Sequence, residues 1–526
     1  MFLGIFFAGI ISLFFNYLNK ITVFEPKSGG SLKIGLACYP SYINPVLSHS
    51  NDCEKDLIEL VYDGLYKIDG KGNLIPNLAE KTEISENGKT YTVFLKDNIN
   101  WHDGLPLTAD DVIFTIEIIQ NPSYRSPLRI NWEGVVVEKL SNTVVRFNLR
   151  KPYSFFIQNL TLKIIPKHYW ENIEPGNIYG AEYNLEPVGS GPYLFDNYEK
   201  NKVGKILSYS LVANEKYFNK QAKINRLTFY FYHDYQKAKE ALLKKEVEGL
   251  SPLLSEDIDF FKNKKNFKIS IVYLPRYYSV FLNLNNRLFT EEFREALSLA
   301  IDRSFIAKTI KKGQAFPLNG PLSFEFLIGE NEPAEYNPEK AKSILEKIDL
   351  KKVPNKEFKF NLFLPENEEL IKVADYLVES WEKIGIKAER QIVPLPAMEK
   401  EIIRSRSYDA ILFGQIVSQE PDFFSFWHSS QISDPGLNLS LYRNKSLDKL
   451  LEETRQILDQ ERRKENIKSI NAILSEDKPA IFLYNPHYLL ILPKKIKGNS
   501  IRYANFPSER FADIANWYIY TKRILK

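Results

Sequence analysis

Several short motifs in this chain contain the residue types of nucleotide-binding or hydrolytic sites, but none has the spacing that the chemistry requires. The segment NGKT at residues 87–90 lacks the upstream glycine of a phosphate-binding loop. The segment GSG at residues 189–191 lacks the G-x-S-x-G spacing that exposes a nucleophilic serine, and the chain has no H-E-x-x-H zinc motif. These segments predict neither a nucleotide site nor a nucleophile.

The paired carboxylates, which could act as a general acid and a general base, have a structural explanation. Asp110-Asp111 and Glu291-Glu292 fall in the first turns of predicted helices, where the helix dipole stabilises negative charge. We therefore expect a protein that is not an enzyme and that has no catalytic residue and no cofactor.

The two cysteines and six histidines do not form a metal-ligand pattern. Metal sites need ligands at short, paired spacings, and these histidines are scattered along the chain, so no metal site is expected. Cys38 and Cys53 could form a disulfide in an exported protein. Two buried free thiols are the alternative.

The length and the net charge of the chain limit the number of domains and the kinds of partner that the protein can have. A chain of 526 residues is too long for one hydrophobic core, which stops growing near about 250–300 residues, so two or three lobes are expected. The 70 basic and 66 acidic residues nearly cancel, which argues against a nucleic-acid partner.

The N-terminal segment from Phe2 to Leu18 is strongly apolar and reaches the about 17–25 residues that cross a bilayer. No A-x-A-like cleavage site follows it, and no cysteine stands nearby for lipid attachment. We expect an uncleaved membrane anchor over residues 1–24, with a cleaved signal as the alternative. A polar linker, residues 25–30, follows.

Helices and strands alternate through the second half, which is typical of α/β units on a partly parallel sheet. Helices are predicted from Thr290 to Gly313, from Asn337-Pro338 onward, and over residues 367–385. A further short helix is predicted to end at Gly249.

The segment from about residue 65 to 185 is richer in strands and turns. Within it, Thr108 and Asp111 have the spacing of a capping box at the start of a helix.

The order of several longer segments along the chain resembles one family. They are SENGKTYTVFLKDNINWHDGLPLTADDVIFT with Trp101, Asp103 and Gly104, VGSGPYLF at residues 188–195, FREALSLAIDRSFIAKTI, YNPEKAKSILEK, YDAILFGQI and ERRKENIKSINAILSEDKPAIFLY. By these segments the chain is identified as a member of the large extracytoplasmic solute-binding proteins, family 5, which deliver peptides and related ligands to ABC importers.

The resemblance implies an α/β, two-lobed periplasmic-binding-protein-like fold of type II, in the large cluster with an extra domain inserted in the first lobe. The expected division of the chain is 31–64, 186–273 and 485–526 for the first lobe, 65–185 for the inserted subdomain, and 274–484 for the second lobe. Two segments, near residues 272–278 and 481–487, are expected to cross between the lobes.

The resemblance also implies the function and the partners. The protein is expected to bind peptides, oligopeptides in particular, in the cleft between the lobes, to close over them by hinge rotation, and to deliver them to an ABC permease and its ATPase. It is expected to be a monomer in the cell envelope, anchored on the outer face of the cytoplasmic membrane, or else periplasmic or extracellular.

Ligand contacts follow from the family's pattern. Peptide main chain is expected to pair with residues 36–39 and 413–419 by strand addition, and nearby aromatic rings are pocket candidates, with hinge packing as their alternative. The expected ligand-binding residues are Tyr39, Tyr277, Tyr278, Phe413, Gln415, Val417, Gln419, Glu420, Asp422, Trp427 and Tyr484.

One residue departs from the pattern of peptide binders. Val417 stands where they place an aspartate that pairs with the peptide α-amino group, and a buried ammonium without a carboxylate is strongly disfavoured. Glu420 or Asp422 could substitute, or they could cap the following helix. The alternatives are therefore a non-peptide ligand, such as an oligosaccharide or metal chelate, and a membrane-tethered peptide receptor or chaperone that is not coupled to transport.

Overall fold

The structure, a computed structural model, describes residues 22–48, 51–322 and 334–525. Most of the predicted membrane segment, residues 1–24, lies outside these ranges. Within them, no helix has both the length and the apolar character needed to cross a bilayer.

Most of the strands in the described ranges are short. In chain order they are β1 (Thr22–Lys27), β2 (Ser31–Leu36), β3 (Tyr66–Ile68), β4 (Leu74–Pro76), β5 (Ala79–Ile84), β6 (Thr90–Leu95), β7 (Val136–Ser141), β8 (Val144–Asn148), β9 (Tyr193–Lys200), β10 (Ile206–Ala213), β11 (Arg226–Phe231), β12 (Gly249–Ser251), β13 (Phe267–Tyr273), β14 (Arg276–Leu282), β15 (Ala315–Pro317), β16 (Lys359–Pro365), β17 (Lys387–Val393), β18 (Ala410–Ile416), β19 (Ala480–Pro493) and β20 (Tyr520–Leu525).

The α-helices alternate with these strands, and single turns of 3₁₀ or π helix lie between them. The α-helices are α1 (Asp52–Val61), α2 (Ala109–Gln120), α3 (Arg129–Trp132), α4 (Phe156–Asn159), α5 (Lys167–Trp170), α6 (Tyr235–Leu243), α7 (Ile258–Lys262), α8 (Glu291–Leu299), α9 (Arg303–Phe305), α10 (Pro338–Glu346), α11 (Glu368–Glu382), α12 (Leu395–Ala397), α13 (Phe424–Trp427), α14 (Lys445–Thr454) and α15 (Gln460–Asp477).

Local sequence determines where several helices begin. The predicted capping box at the start of α2 is confirmed, because the Thr108 N–H donates to the Asp111 carboxylate at 2.8 Å. The side chains of Asn337 and Asn367 accept backbone N–H groups at the first turns of α10 and α11, as is usual for N-cap residues. The helices predicted there begin where they were expected.

The helix predicted from Thr290 to Gly313 is wrong in its length. It begins at Thr290, but α8 ends at Leu299. Asp302 then caps a new helix, α9, by accepting the Phe305 N–H at 3.0 Å. A residue that caps one helix has extended backbone, so the preceding helix cannot run through it.

The helix predicted to end at Gly249 is also shorter. It is α6, which ends at Leu243, and Gly249 instead begins β12. A Cβ at Gly249 would lie 2.9 Å from the Ile491 carbonyl of β19. The glycine therefore permits two strands to approach closely and does not terminate a helix.

A mixed sheet of twelve strands runs through the described residues. Its order is β17-β16-β18-β14-β19-β12-β2-β11-β10-β9, with β13 and β15 also paired to β19. Strand β2 is parallel to both β11 and β12, and β16 is parallel to both β17 and β18. The predicted partly parallel α/β architecture is confirmed.

Hydrophobic clusters divide the sheet into two lobes. The first-lobe clusters are built from residues 32–274 and 489–517. The second-lobe clusters are built from residues 277–484 and from Phe155. A four-stranded antiparallel sheet in the order β5-β6-β8-β7 contributes Tyr91 and Phe147 to the first-lobe core.

The chain ends of the described region pair with each other. Strand β1 is antiparallel to β20, from Thr22 opposite Leu525 to Lys27 opposite Tyr520. Residues 22–24, which the sequence predicts to be the end of the membrane segment, and residues 25–27, which it predicts to be part of a linker, therefore belong to a strand. The prediction fails here because the pairing partner lies at the other end of the chain.

Strand β19 joins the two lobes. It pairs with β14 through residues 480–484 and with β13 through residues 487–493. Between these stretches, the buried Asn485 amide donates to the carbonyls of Leu274 and Arg276, which flank the connection from β13 to β14. One side chain thus ties both crossings together.

Candidate functional site

A cavity of about 1700 Å³ lies between the lobes. The first lobe lines it with α1, the β3–β4 hairpin and the C-terminal residues 503–509, and the segment 154–163 covers one side. The second lobe lines it with residues 416–422 and the start of α15. Cavities of this kind, enclosed by two lobes, are the usual place for small-molecule sites.

Four of the expected ligand-binding residues lie on the second-lobe wall: Val417, Gln419, Glu420 and Asp422. They follow β18 and remain close to the crossings, because the Val417 N–H donates to the Pro275 carbonyl at 2.8 Å. The backbone and side chain of Gln419 donate to the first-lobe residues Asn505 and Ala504.

The carboxylates of Glu420 and Asp422 already have partners in the second lobe. The Arg463 guanidinium pairs with Glu420, and Arg455 pairs with Asp422 at 2.7 Å. Asp422 also accepts the Phe424 N–H at 3.1 Å at the start of α13. The hydrogen bond to Phe424 supports the interpretation that Asp422 caps the following helix. The negative charges of both Glu420 and Asp422 are compensated within the protein.

Residues 153–158 connect the first lobe to the same wall. The Tyr153 hydroxyl donates to Asp422 at 3.0 Å, and the Gln158 amide donates to the Glu420 carbonyl at 2.9 Å. Phe155 packs into a second-lobe cluster. The lobes are therefore in contact on two sides of the cavity, at the crossings and at this segment.

Helix α1 carries charged residues towards the cavity on its polar face. Lys55 and Glu59 line the cavity, whereas Leu57 and Leu60 face the first-lobe core. Glu59 forms an ion pair with Lys163 at 2.9 Å. Burial lowers the pKa of the Lys55 ammonium, and the positive charge of Arg276 lowers it further.

Arg276, the first residue of β14, reaches the cavity from the crossing. It lies opposite Ile416 in the β14–β18 register, one residue before Val417. Its Nε is buried and has no hydrogen-bond partner in the described part of the chain. Burial lowers the pKa of this guanidinium from its usual value.

Glu509 lies on the first-lobe wall, and no cationic side chain among the described residues forms an ion pair with it. Its carboxylate accepts the Asn505 N–H at 2.6 Å. Burial, together with the nearby Glu59 carboxylate, raises the pKa of Glu509 to about 7.

The disulfide Cys38–Cys53, with a Cα–Cα distance of 6.1 Å, ties the end of β2 to the first turn of α1. The Asn51 amide donates to the Tyr39 carbonyl at 2.7 Å and caps α1 with its oxygen. These contacts position the helix that presents Lys55 and Glu59. In the described ranges, no three His, Cys, Asp or Glu side chains lie close enough together to bind a metal ion.

The other expected ligand-binding residues lie outside the cavity lining and remain predictions. Tyr278 stacks on Tyr484 with ring centroids 5.1 Å apart, and Tyr39 lies under the Lys205 ammonium at 4.6 Å. The remaining four pack against or within a second-lobe hydrophobic cluster or hydrogen-bond there: Tyr277, Phe413, Gln415 and Trp427.

Sequence reasoning did not single out Arg276, Lys55 or Glu509. Arg276 stands next to the two tyrosines that were chosen in the first crossing, and its charge in an apolar strand was a usable signal. Lys55 and Glu59 are four residues apart on the polar face of α1, which a helical pattern predicts. No local pattern marks Glu509, because its role depends on the cavity.

The described architecture matches one known family. The model of the bacterial extracellular solute-binding proteins, family 5 Middle, matches residues 73–434. The oligopeptide-binding protein AppA of Bacillus subtilis is 28% identical over 523 residues, which cover 96% of this chain and 94% of AppA. The dipeptide-binding protein of Escherichia coli is 25% identical over 495 residues, which cover 87% of this chain and 90% of that protein.

Two solved structures extend the comparison to the whole fold. Bacillus subtilis AppA in complex with a nonapeptide matches with a TM-score of 0.74 and 28% identity, covering 94% of this chain and 100% of that one. NikZ from Campylobacter jejuni in complex with Ni(L-His) matches with a TM-score of 0.76 and 29% identity, covering 93% of this chain and 99% of that one.

Proposed function

This chain belongs to family 5 of the bacterial extracellular solute-binding proteins, and we propose that it binds peptides between its lobes for an ABC importer. The observation that carries the proposal is the cavity of about 1700 Å³ enclosed by both lobes. The relatives and the nonapeptide complex of AppA support a peptide as the occupant.

The binding event in this proposal is closure of the lobes. In this proposal the expected crossings, near residues 272–278 and 481–487, act as the hinge, the lobes divide as the sequence predicts, and residues 65–185 move with the first lobe. The Asn485 contacts to Leu274 and Arg276 support rotation about one axis, because they hold the two crossings together. Short connecting segments of this kind absorb most of the backbone change in hinge motions.

In this proposal residues 1–21, the part of the predicted anchor that precedes β1, hold the protein in the cytoplasmic membrane, so that its lobes face outward beside the permease and the ATPase. The test is the intact mass of the protein in a washed membrane fraction. A mass that includes residues 1–24 supports an uncleaved anchor, and a shorter protein released into the soluble envelope fraction indicates a cleaved signal.

A chelated metal ion is the second candidate ligand, because the NikZ structure matches this chain as well as the AppA structure does. In this proposal the peptide remains the first choice, since the cavity is large and the described residues hold no metal cluster of their own. In a chelate, the small molecule would supply the metal ligands, and the protein would contact the outer surface of the chelate.

Native mass spectrometry of the full chain, purified in detergent without refolding, tests both candidates. A ladder of copurified masses that fragments into peptide sequences supports peptide binding. A single adduct with a nickel isotope pattern supports the chelate. An empty protein whose melting temperature does not rise with a peptide mixture or with nickel and histidine argues against both and favours a role outside transport.

A further inference from the structure

The cavity wall carries more positive than negative side chains. Eight lysines and arginines line it, against five aspartates and glutamates. Ion pairing does not remove this excess, because Glu59 and Glu420 pair with Lys163 and Arg463, which are among the eight, and several of the remaining basic residues form no ion pair among the described residues.

Three of the five carboxylates have cationic partners. Glu59 is paired with Lys163, Glu420 with Arg463, and Asp422 with Arg455. Because a cation already compensates the charge of such a carboxylate, the carboxylate attracts a ligand ammonium less strongly. Of the other two, Asp52 is exposed at the start of α1, and the raised pKa of Glu509, about 7, leaves it partly neutral at physiological pH.

Four of the basic side chains are not held in a close ion pair, although Asp52 acts through space on Lys55 and Arg276, and Glu59 acts on Lys67. Lys55, Lys67, Lys71 and Arg276 line the cavity, and among the described residues none of their charged groups forms an ion pair. Lys55 is held over the ring of Phe506 at 4.8 Å, a contact that orients an ammonium without neutralising it.

Arg276 is the most constrained of these groups. Its Nε is buried without an acceptor among the described residues, and a buried unsatisfied donor of a charged group costs free energy until something accepts from it. A rigid strand and the Asn485 contact to the Arg276 carbonyl fix its backbone. The guanidinium fork matches a carboxylate in two parallel hydrogen bonds.

We propose that the cleft selects peptides that carry acidic side chains, and that Arg276, assisted by Lys55, binds one of their carboxylates. This inference rests on the proposed function, since it names the class of peptide that the same cavity takes. The other two lysines, Lys67 on β3 and Lys71 in the β3–β4 turn, attract the remaining negative charge of the ligand.

The cavity wall can form more favourable electrostatic contacts with an acidic peptide than with a neutral peptide. A carboxylate on the part of the Arg276 guanidinium that faces the cavity would compensate a charge that forms no ion pair among the described residues. An aliphatic side chain in the same place would leave the guanidinium without a counter-charge, and a basic side chain would add repulsion. The preference should therefore appear mainly as discrimination against basic peptides.

The test uses the full chain in detergent and isothermal titration calorimetry with three synthetic peptides of one length. They alternate alanine with glutamate, glutamine or lysine. We expect the glutamate peptide to bind about tenfold or more tightly than the glutamine peptide, and the lysine peptide to bind most weakly. The advantage of the glutamate peptide should shrink at high salt, because added ions screen exposed charges.

The protein side of the test is Arg276→Gln, with Arg443→Gln as its matched control. Arg443 is exposed and does not line the cavity, so the control removes the same charge elsewhere. We expect Arg276→Gln to weaken the glutamate peptide about tenfold and the glutamine peptide by less than about twofold. The control should leave both affinities unchanged, and circular dichroism should show both variants folded.

A second set of the same three peptides, with amidated C-termini, separates side-chain recognition from recognition of the terminal carboxylate. If amidation removes the effect of Arg276→Gln, the residue binds the terminal carboxylate and the inference is overturned. It is also overturned if all three peptides bind equally well, although peptide binding then stands. If none of them binds and no peptide copurifies, the proposed function itself fails.

Discussion

Two ion pairs of this protein differ in where they lie and in what they hold together. Asp56 and Arg510 pair inside the first lobe, with side chains only 2% and 1% exposed. Asp422 and Arg455 pair at the boundary between the lobes, with 17% and 29% exposure, and Asp422 also accepts the Tyr153 hydroxyl. The first pair joins two elements of one core, and the second stands where the lobes must separate.

This difference in burial indicates which contacts can break and re-form when the lobes open and close. Burial raises the pKa of Asp56 to about 6 even though Arg510 opposes the shift, so water cannot readily replace either partner. The groups around Asp422 are close to solvent at the cavity, where water can take over a broken hydrogen bond at little cost. In the proposed lobe closure, the contacts around Asp422 can therefore break at a lower cost than the buried pair of Asp56 and Arg510.

The largest effect is expected from breaking the buried pair. Asp56→Asn leaves the Arg510 guanidinium buried without a counter-charge and should lower the free energy of unfolding by about 3–5 kcal/mol. Urea unfolding followed by circular dichroism measures it. The matched control is Asp56→Leu with Arg510→Met, which removes both charges and should recover most of the loss. A single variant as stable as the wild type would contradict the buried placement.

A smaller effect is expected from the disulfide next to that pair. Cys38 and Cys53 are 15 residues apart in sequence, and closing a loop of this length stabilises a fold by up to about 3 kcal/mol. The double change Cys38→Ser and Cys53→Ser should lower the unfolding free energy by about 2–3 kcal/mol. Reducing the wild type with dithiothreitol should give the same loss, whereas the serine variant should not respond to dithiothreitol.

Glu509 can be compared with Asp56, because both are carboxylates near Arg510. Asp56 is paired with Arg510, whereas Glu509 forms no ion pair among the described residues. Its raised pKa, from 4.5 to about 7, means that the folded state binds a proton that the unfolded state releases. The wild type therefore loses stability as the pH rises from about 4.5 through about 7. Glu509→Gln, which keeps an acceptor for the Asn505 N–H, should avoid this loss.

Thermal melts of both proteins at pH 5 and pH 8 measure the difference. The variant should gain about 1 kcal/mol relative to the wild type between the two values, after allowance for partial solvent screening. A constant difference across this range would mean that Glu509 is already ionised at pH 5.

The smallest effect on stability is expected at the boundary. Tyr153→Phe removes the hydroxyl that donates to Asp422 and should lower the unfolding free energy by less than about 1 kcal/mol. Because this contact exists only when the lobes meet, the change should weaken ligand binding by a few-fold. Tyr124→Phe is the control, since its hydroxyl donates to Ile173 within the first lobe, and it should leave affinity unchanged.

Sequence patterns predicted the parts of the fold whose causes are local. The Thr108–Asp111 capping box and the Asn337 cap need only neighbouring residues, and each was found at its predicted place. The helix predicted from Thr290 to Gly313 is too long because the side chain of Asp302, inside that range, caps a new helix.

The features that depend on distant residues could not be predicted in this way. The pairing of β1 with β20 joins the two ends of the described chain. The local sequence of neither strand indicates which strand it will pair with. The same is true of the cavity. Val417, Glu420 and Asp422 were expected at the site from the family pattern. The charge of Arg276 in an apolar strand was a usable signal, but only the structure shows that it lines the cavity with a buried Nε that has no partner among the described residues.

The ion pair between Asp56 and Arg510 spans 454 residues of sequence, and this distance sets an order of events in folding. The first-lobe core contains residues up to Trp517, so it cannot be completed before nearly the whole chain has been made and exported. One second-lobe core uses only residues 280–484 and can form earlier. Because contacts between distant residues form slowly, the lobe that begins the chain should be the last to finish folding.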